Sequence, residues 1–187
     1  MTSRPTIEWL YGQIEGAKER SISERYFIRP SRVRDIFTLA TIERAVTELN
    51  CDTYDKVGLA KKIELEGVLV FAVLIYMRRE DQIVAFRNHD CLALPVPEGK
   101  AVLIAPEFGV SFAREYQWQF IPYFFKRDMS EHHYEIDELG IIFPFIEEKN
   151  RRDGGYGEVS ELTIPASLQE FFPGMVCIVS SPNCCTC

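Results

Sequence analysis

Three glycines lie close together between two β-rich runs near the end of the chain, in the sequence Asp153-Gly154-Gly155-Tyr156-Gly157-Glu158-Val159. Because glycine has no side chain, such a cluster lets the backbone approach the phosphates of a nucleotide closely, while the flanking strands hold it in place. The chemistry that this pattern could support is therefore phosphate binding. Glycine clusters also close ordinary β-hairpins, and this second interpretation remains open.

Two other groups of polar residues could bind a metal or provide a nucleophile. Between residues 128 and 137, two imidazoles lie among four carboxylates, and Asp128, His132 and Glu135 would share one face of a helix. No recognised ligand pattern is completed there, so we predict no metal site. His89-Asp90-Cys91 places a thiol near an imidazole, but adjacent residues seldom form a catalytic pair.

The cysteines fall into two sets. Cys51 and Cys91 stand alone, and we predict that they are small core residues. The last eleven residues hold the other four, which are Cys177, Cys184, Cys185 and Cys187. The ending Cys-x-Cys resembles the prenylated tails of small GTPases, although the chain has no G-x-x-x-x-G-K-[ST] loop. Palmitoylation and soft-metal binding are further alternatives, but the spacing fits no zinc template.

Charge and hydropathy narrow the classes of function. The 187 residues include 28 Asp and Glu against 21 Lys and Arg, and the net charge of -7 opposes binding to nucleic-acid phosphates. Residues 1–8 contain no apolar signal region, and the apolar run Val68–Met77 is about half of the roughly 20 residues that span a membrane. We expect an intracellular, cytoplasmic protein that meets a membrane only if its cysteine tail carries lipid.

Apolar periodicity predicts helices over most of residues 5–135. Apolar side chains recur every three or four positions from Thr6 to Arg20, and a helix is predicted over Lys56–Met77. Pro30 and Thr41 are predicted starts of two short helices. The prolines of Leu94-Pro95-Val96-Pro97 predict an extended connection.

After this region the helical periodicity gives way to two short β-rich runs, which predict a hairpin. Its strands are Ile141–Ile146 and Val159–Ile164, joined by the glycine cluster. Because two strands alone are marginally stable, we expect this hairpin to pack against the helical part. Trp118 and Phe120, in an aromatic-rich segment, are the predicted side chains that cover it.

Several short motifs resemble, in their order, the N-terminal region of fungal protein-kinase-like proteins, which carry a helical region before the kinase fold. They cover roughly residues 20–172. The motifs are Tyr26-Phe27-Ile28-Arg29-Pro30, Phe71-Ala72-Val73-Leu74-Ile75, Leu94-Pro95, Gln117-Trp118-Gln119-Phe120, Phe143-Pro144-Phe145-Ile146-Glu147 and the glycine cluster.

The resemblance implies roles for the glycine cluster. In the kinase pattern G-x-G-x-x-G-x-V, Gly154 and Gly157 take the second and third glycine positions, and Tyr156 takes the loop tip. Val159 takes the place over the adenine, whereas Arg152 stands where the first glycine would be. The implied nucleotide-binding residues are Gly154, Gly155, Tyr156, Gly157 and Val159.

The other groups that a kinase needs cannot be placed in the sequence. They are a strand lysine, a catalytic-loop aspartate and asparagine, and a metal-binding aspartate in an Asp-Phe-Gly step. Residues 153–187 contain no Lys or Arg but four carboxylates, which are Asp153, Glu158, Glu161 and Glu170. Phosphoryl transfer depends on positioning and charge neutralisation, so no catalytic residue and no cofactor are predicted for this chain. ATP and Mg²⁺ are expected only if it belongs to a complete kinase.

We predict an α+β fold that is mainly α, with a helical bundle followed by a short β-hairpin resembling the first strands of a kinase N-lobe. Residues 1–135 form the helical regulatory or interaction region, residues 136–172 a truncated kinase-like strand, loop and strand, and residues 173–187 an irregular cysteine-rich tail. Because the sequence changes abruptly after Phe172, we expect an early stop or a mispredicted gene end.

Three functions are compatible with this sequence. The first is a non-catalytic regulatory or interaction module that binds an unidentified protein partner. The second is the front fragment of a complete serine/threonine kinase. The third is an adaptor tethered to a membrane through its cysteine tail.

Overall fold

The chain has an α+β fold in which helices predominate, as the sequence predicted. The computed structural model describes residues 4–49, 55–126, 140–154, 157–170 and 177–180. Helices fill most of residues 5–120, and the longer strands follow residue 146. The predicted boundary between residues 135 and 136 lies outside the described ranges.

The helical part contains the following segments within the described residues. They are α1 (Pro5–Gly16), α2 (Pro30–Ile36), α3 (Leu39–Glu48), α4 (Lys56–Lys62), α5 (Val68–Tyr76), α6 (Ile83–Asn88), α7 (Glu98–Ile104), α8 (Gly109–Ser111) and α9 (Gln117–Phe120).

Helix α5 lies at the centre of the helical core. Seven of its nine residues are buried, and it packs against α1, α2, α6 and α9. An apolar surface on every side is typical of a helix surrounded by protein. The helix predicted over Lys56–Met77 is confirmed in outline, because α4 continues through a π-helical turn at Ile63–Gly67 into α5.

The start of helix α1 is fixed by a proline and a carboxylate, and its end falls at a glycine. Pro5 occupies the first turn, and the amides of Thr6 and Ile7 donate to the carboxylate of Glu48, the last residue of α3, at 3.0–3.1 Å. The helix ends at Gly16 rather than at the predicted Arg20. Glycine is a poor helix former, and the following chain forms strand β1 (Glu19–Arg20), antiparallel to β2 (Tyr26–Phe27).

Helices α2 and α3 test the two predicted start positions. Pro30 begins α2, as predicted. Helix α3 begins at Leu39 rather than at Thr41, because Thr38 is its N-cap and its hydroxyl accepts a hydrogen bond from the Thr41 amide.

A second, three-stranded antiparallel sheet follows the helices. Its strands are β3 (Glu147–Gly154), β4 (Gly157–Thr163) and β5 (Cys177–Ser180), in the order β3-β4-β5. The predicted second strand, Val159–Ile164, is confirmed in outline as β4. The predicted first strand, Ile141–Ile146, is wrong, because the strand that pairs with β4 is Glu147–Gly154. The tail predicted to be irregular contributes β5.

Physical reasons for both differences can be given. The carbonyls of Ile142 and Phe145 accept hydrogen bonds from the amides of Tyr123 (2.9 Å) and Ile22 (2.7 Å), and Pro144 has no amide to donate. The carbonyls of Ile142 and Phe145 are thus paired outside the sheet, and bonding to β4 begins at the end of this run, where the Ile146 amide donates to the Thr163 carbonyl (3.0 Å). In β5, the β-branched Ile178 and Val179 favour a strand.

Candidate functional site

The glycine cluster closes a tight hairpin between β3 and β4. Gly154 pairs with Gly157, so only Gly155 and Tyr156 connect the strands, and these two residues lie outside the described part of the chain. Val159 lies opposite Arg152 on one side and Ser180 on the other, because β4 is the middle strand. Three of the five predicted residues are therefore brought to one end of the sheet. A two-residue turn is common to both interpretations of the cluster.

The charges of this sheet are uneven. By sequence, its strands carry five carboxylates and three cationic side chains, and all three cations, Lys149, Arg151 and Arg152, belong to β3. Strands β4 and β5 contain no Lys or Arg. Lys149 forms an ion pair with Glu147 at 3.2 Å. Two of the three strands thus bring no positive charge toward a phosphate at the glycine turn.

A small second core packs β2 against the segments that flank β3 and β4. Its buried members are Phe27, Ile142, Ile164 and Leu168, and Trp118, Phe125 and Phe145 pack against them. The predicted covering role is therefore confirmed for Trp118 and wrong for Phe120. Phe120 is fully buried in the main helical core, 5.9 Å from the ring of Tyr76.

The segment Gln117-Trp118-Gln119-Phe120 links the two cores. Gln117 is buried. The oxygen of its side-chain amide accepts a hydrogen bond from the backbone amide of Val96 (2.8 Å), and its side-chain nitrogen donates to the backbone carbonyls of Val96 (3.2 Å) and Ala113 (2.7 Å). The Gln117 side chain therefore fixes the proline-rich connection through both backbone groups of Val96. Pro95 and Pro97, on either side, have no backbone N–H to donate. The sequence analysis names Gln117 only as part of a motif and does not predict these hydrogen bonds, because Val96 lies 21 residues away along the chain.

A second candidate site is an open cleft of about 320 Å³ on the helical part, beside the second core. We call it the Lys18 cleft. Its lining consists of Lys18, Arg25, Tyr26, Tyr76, Arg114, Glu115, Gln119 and Ile142. Sequence analysis did not find it, because its residues come from five separated segments and form no local pattern.

Lys18 lies between two tyrosine rings in this cleft. Its Nζ is 4.9 Å from the ring centre of Tyr26 and 5.1 Å from that of Tyr76, and it donates to the Tyr76 hydroxyl (2.8 Å) and to Glu15 (3.2 Å). Burial lowers the pKa of Lys18, but the hydrogen bonds to Tyr76 and Glu15 outweigh burial and raise it above its ordinary value. The ammonium group of Lys18 is therefore fixed in position by its contacts with Tyr26, Tyr76 and Glu15.

The two arginines of the cleft have different partners. Arg25 donates to the carbonyls of Gly140 (2.6 Å) and Ile141 (3.0 Å), and no carboxylate lies within ion-pair distance of it among the described residues. Arg114 forms a two-pronged pair with Glu98 at 2.6 and 2.9 Å. The hydrogen bond from Arg114 lowers the pKa of Glu98. Arg114 itself follows α8 in a π-helical turn, Phe112–Tyr116.

The structure places some of the remaining candidate groups. Cys91 is buried and its thiol donates to the carbonyl of His89, whose side chain is exposed, so Cys91 is a core residue as predicted. Cys51, the residues from Asp128 to Asp137, and Cys184, Cys185 and Cys187 lie outside the described ranges. Among the residues that are described, no three His, Cys, Asp or Glu side chains are grouped as a metal site would require.

The chain was compared with known families, proteins and structures. No protein-family model, curated protein or solved structure matches the chain. Within the described ranges, every helix is too short or too polar to cross a membrane.

Proposed function

We propose that this chain is a non-catalytic regulatory or interaction module derived from a fungal protein-kinase-like protein, with an incomplete ATP site. The observation that carries the proposal is the sheet β3-β4-β5. Three consecutive antiparallel strands, with a glycine turn between the first two, are the arrangement expected at the start of a kinase N-lobe. In protein kinases the ATP-binding lysine lies on the third strand, and β5 contains no lysine.

The charge of the sheet argues against catalysis by this chain. A triphosphate over the Gly154–Gly157 turn would meet Asp153 and Glu158, which lie opposite each other beside it. Phosphoryl transfer requires Mg²⁺ and cationic groups that neutralise the developing charge. The cations of the sheet, Lys149, Arg151 and Arg152, all belong to β3, and β4 and β5 supply none.

Contacts between the β1–β2 turn and the segment before β3 support a regulatory role. The Ile22 amide donates to the Phe145 carbonyl, and Arg25 donates to the carbonyls of Gly140 and Ile141. These bonds join the β1–β2 turn directly to the segment that leads into β3. A partner that binds at the β1–β2 turn would therefore contact the residues that hold the segment before β3.

A phosphotransfer assay tests the non-catalytic half of the proposal. The purified chain is incubated with radiolabelled MgATP and a generic protein substrate, beside a Gly157→Leu variant that blocks close approach to the turn. We expect both proteins to stay at the no-enzyme background. Transfer by the native chain that the Gly157 substitution abolishes would overturn the proposal.

The interaction half is tested in extracts of the native cells. A module that binds a protein partner should sediment in a complex larger than its own 21.6 kDa. Sedimentation at the mass of the chain alone, under conditions that preserve complexes, would remove this half of the proposal.

A second candidate function is the front fragment of a complete serine/threonine kinase that binds ATP and phosphorylates proteins. The same strand order and glycine turn support it. An antibody against the helical part would then detect a much larger species in native cells. The transcript would also encode a lysine strand and a catalytic loop downstream, and their absence would leave this candidate without support.

A third candidate is an adaptor tethered to a membrane by lipid on Cys184, Cys185 and Cys187, and its support is the cysteine-rich ending. Replacing these three cysteines by serine should move the protein from the membrane fraction to the cytosol. An unchanged distribution would eliminate this candidate.

A further inference from the structure

The Lys18 cleft holds cationic groups whose hydrogen-bonding capacity exceeds what the protein uses. The ammonium group of Lys18 has three N–H donors, of which two bond Tyr76 and Glu15. The Tyr76 hydroxyl accepts from Lys18, so its own hydrogen is available to donate. One face of the cleft therefore offers an ammonium and a hydroxyl donor that are already positioned.

Arg25 adds the strongest unused donor set. Its guanidinium has five N–H groups, and two of them bond the carbonyls of Gly140 and Ile141. These carbonyls orient the side chain without neutralising its charge. The remaining N–H groups form the kind of planar fork that binds phosphate oxygens in pairs.

Cationic side chains outnumber carboxylates in the lining of the cleft. Lys18, Arg25 and Arg114 face one carboxylate in the lining, Glu115, and the bordering Glu15 and Glu98 already pair with Lys18 and Arg114. With the two bordering carboxylates counted, cations and carboxylates balance, and among the described residues Arg25 is the cation of the cleft that has no carboxylate partner. The chain as a whole carries a net charge of -7. A long polyanion would be repelled by the rest of the surface, whereas a small anion would meet mainly the cleft.

We propose that the Lys18 cleft binds a phosphate monoester through Arg25, Lys18 and the Tyr76 hydroxyl, with Arg114 at its rim. A phosphate monoester carries close to two negative charges and three strong acceptor oxygens, which suits two cations and a hydroxyl better than a single carboxylate would. A volume of about 320 Å³ is at the small end for ligand sites and admits a phosphate with a short carrier. The site is independent of the origin of the glycine hairpin.

The phosphate group has two possible sources, a phosphorylated side chain of a protein partner or a free small molecule. The shared chemistry is tested first by titrating the ¹⁵N-labelled chain with phenyl phosphate and following amide shifts by NMR. Phenyl sulfate is the matched probe, because it has nearly the same shape and one negative charge. We expect saturable shifts at Lys18, Arg25 and Gln119, and binding of phenyl sulfate at least about tenfold weaker.

Two variants locate the binding. Arg25→Gln should weaken phenyl phosphate binding at least about tenfold, since it removes the charged fork. Lys62→Gln is the control, because it makes the same change of charge at an exposed residue of α4 that pairs with Glu66. Arg25 also holds Gly140 and Ile141, so Lys18→Gln is a second test that leaves those bonds in place. Unsaturable shifts, shifts scattered over the surface, or equal affinity of all three variants and the native chain would overturn the proposal.

A further comparison identifies the source. A phosphoserine tripeptide flanked by glycines is titrated beside phenyl phosphate and inorganic phosphate. Tighter binding of the tripeptide supports a protein side chain as the ligand, and tighter binding of phenyl or inorganic phosphate supports a small molecule. Failure of all three probes to bind overturns the site, while the proposed module function would be judged separately by its phosphotransfer and sedimentation tests.

Discussion

Gly140 lies where the chain enters the second core, in a conformation and a space that only glycine fits. Its φ is +69°, in the left-handed region that other residues rarely adopt. A Cβ at this position would lie 2.6 Å from Cδ1 of Trp118 and 2.9 Å from the Arg114 carbonyl oxygen. Gly140 therefore controls how closely the segment before β3 approaches the helical part.

Replacing Gly140 by alanine should destabilise the chain by about 2–4 kcal/mol, because backbone strain and overpacking against Trp118 act together. The measurement is chemical unfolding followed by circular dichroism. Gly12→Ala is the matched control, since Gly12 lies inside α1 with no atom near its missing Cβ. That variant should be more stable by about 0.5–1 kcal/mol. Equal stability of both variants would contradict the packing described here.

Lys18 provides a second prediction for a single residue. Because its folded pKa is raised, its interactions stabilise the protein fully below the ordinary lysine pKa of about 10.4 and are lost as the pH rises through the higher folded value. NMR titration of the Lys18 side chain should give a pKa above the ordinary value. Tyr76→Phe should lower that pKa by removing one hydrogen bond.

The control for this titration is Tyr116→Phe. The ring of Tyr116 contacts Tyr76 at 5.8 Å but its hydroxyl does not bond Lys18, so this variant should leave the Lys18 pKa unchanged. Titration of Lys18 below the ordinary value, or a Tyr76 variant without effect, would show that burial outweighs the hydrogen bonds.

Among the elements, α1 and α3 show how one helix end stabilises another. Glu48, at the end of α3, accepts hydrogen bonds from the first amides of α1, where a negative charge also interacts favourably with the helix dipole. Glu48→Gln should therefore destabilise the chain by about 1 kcal/mol. Glu43→Gln, on an exposed position of the same helix, should change stability by less than about 0.5 kcal/mol.

Unfolding measurements and hydrogen exchange at Ile7 check this prediction. The Glu48 variant should exchange the Ile7 amide faster than the Glu43 variant does. Equal exchange in both would mean that the contact with Glu48 does not protect the start of α1.

Elements whose structure is set by local sequence could be predicted. The proline at Pro30 and the apolar run of α5 gave α2 and the central helix, because propensity and burial act over a few residues. Ile141–Ile146 has the composition of a strand but binds the helical part through Phe145 and Ile142. Tertiary contacts decided that outcome, and no local pattern records them.

In the candidate sites, too, features set by local sequence could be predicted and features set by tertiary contacts could not. The glycine turn could be located from sequence, since Gly154 and Gly157 pair across a two-residue connection. The Lys18 cleft could not, because Lys18, Arg25 and Arg114 meet only after the helices pack. Strand β5 was also missed, because its pairing with β4 joins residues separated by the stretch 164–176.

At the scale of the whole molecule, two cores and one linking segment combine the helical part and the sheet. Gln117 and Phe120 belong to the helical core, while Trp118 packs on the second core. The glycine turn thus belongs to a sheet whose flanking residues Ile142 and Ile164 lie in the second core. Strands β4 and β5 carry no positive charge, and the proposed non-catalytic role is based on this distribution.

Titration of the ¹⁵N-labelled chain with MgATP tests this central claim most directly. The amides of Gly154, Gly157 and Val159 report on the turn, and the account predicts no saturable shift of these three at millimolar MgATP, because two of the three strands supply no cation. Saturable shifts at these amides that disappear in the Gly157→Leu variant would contradict the account and establish a working nucleotide site.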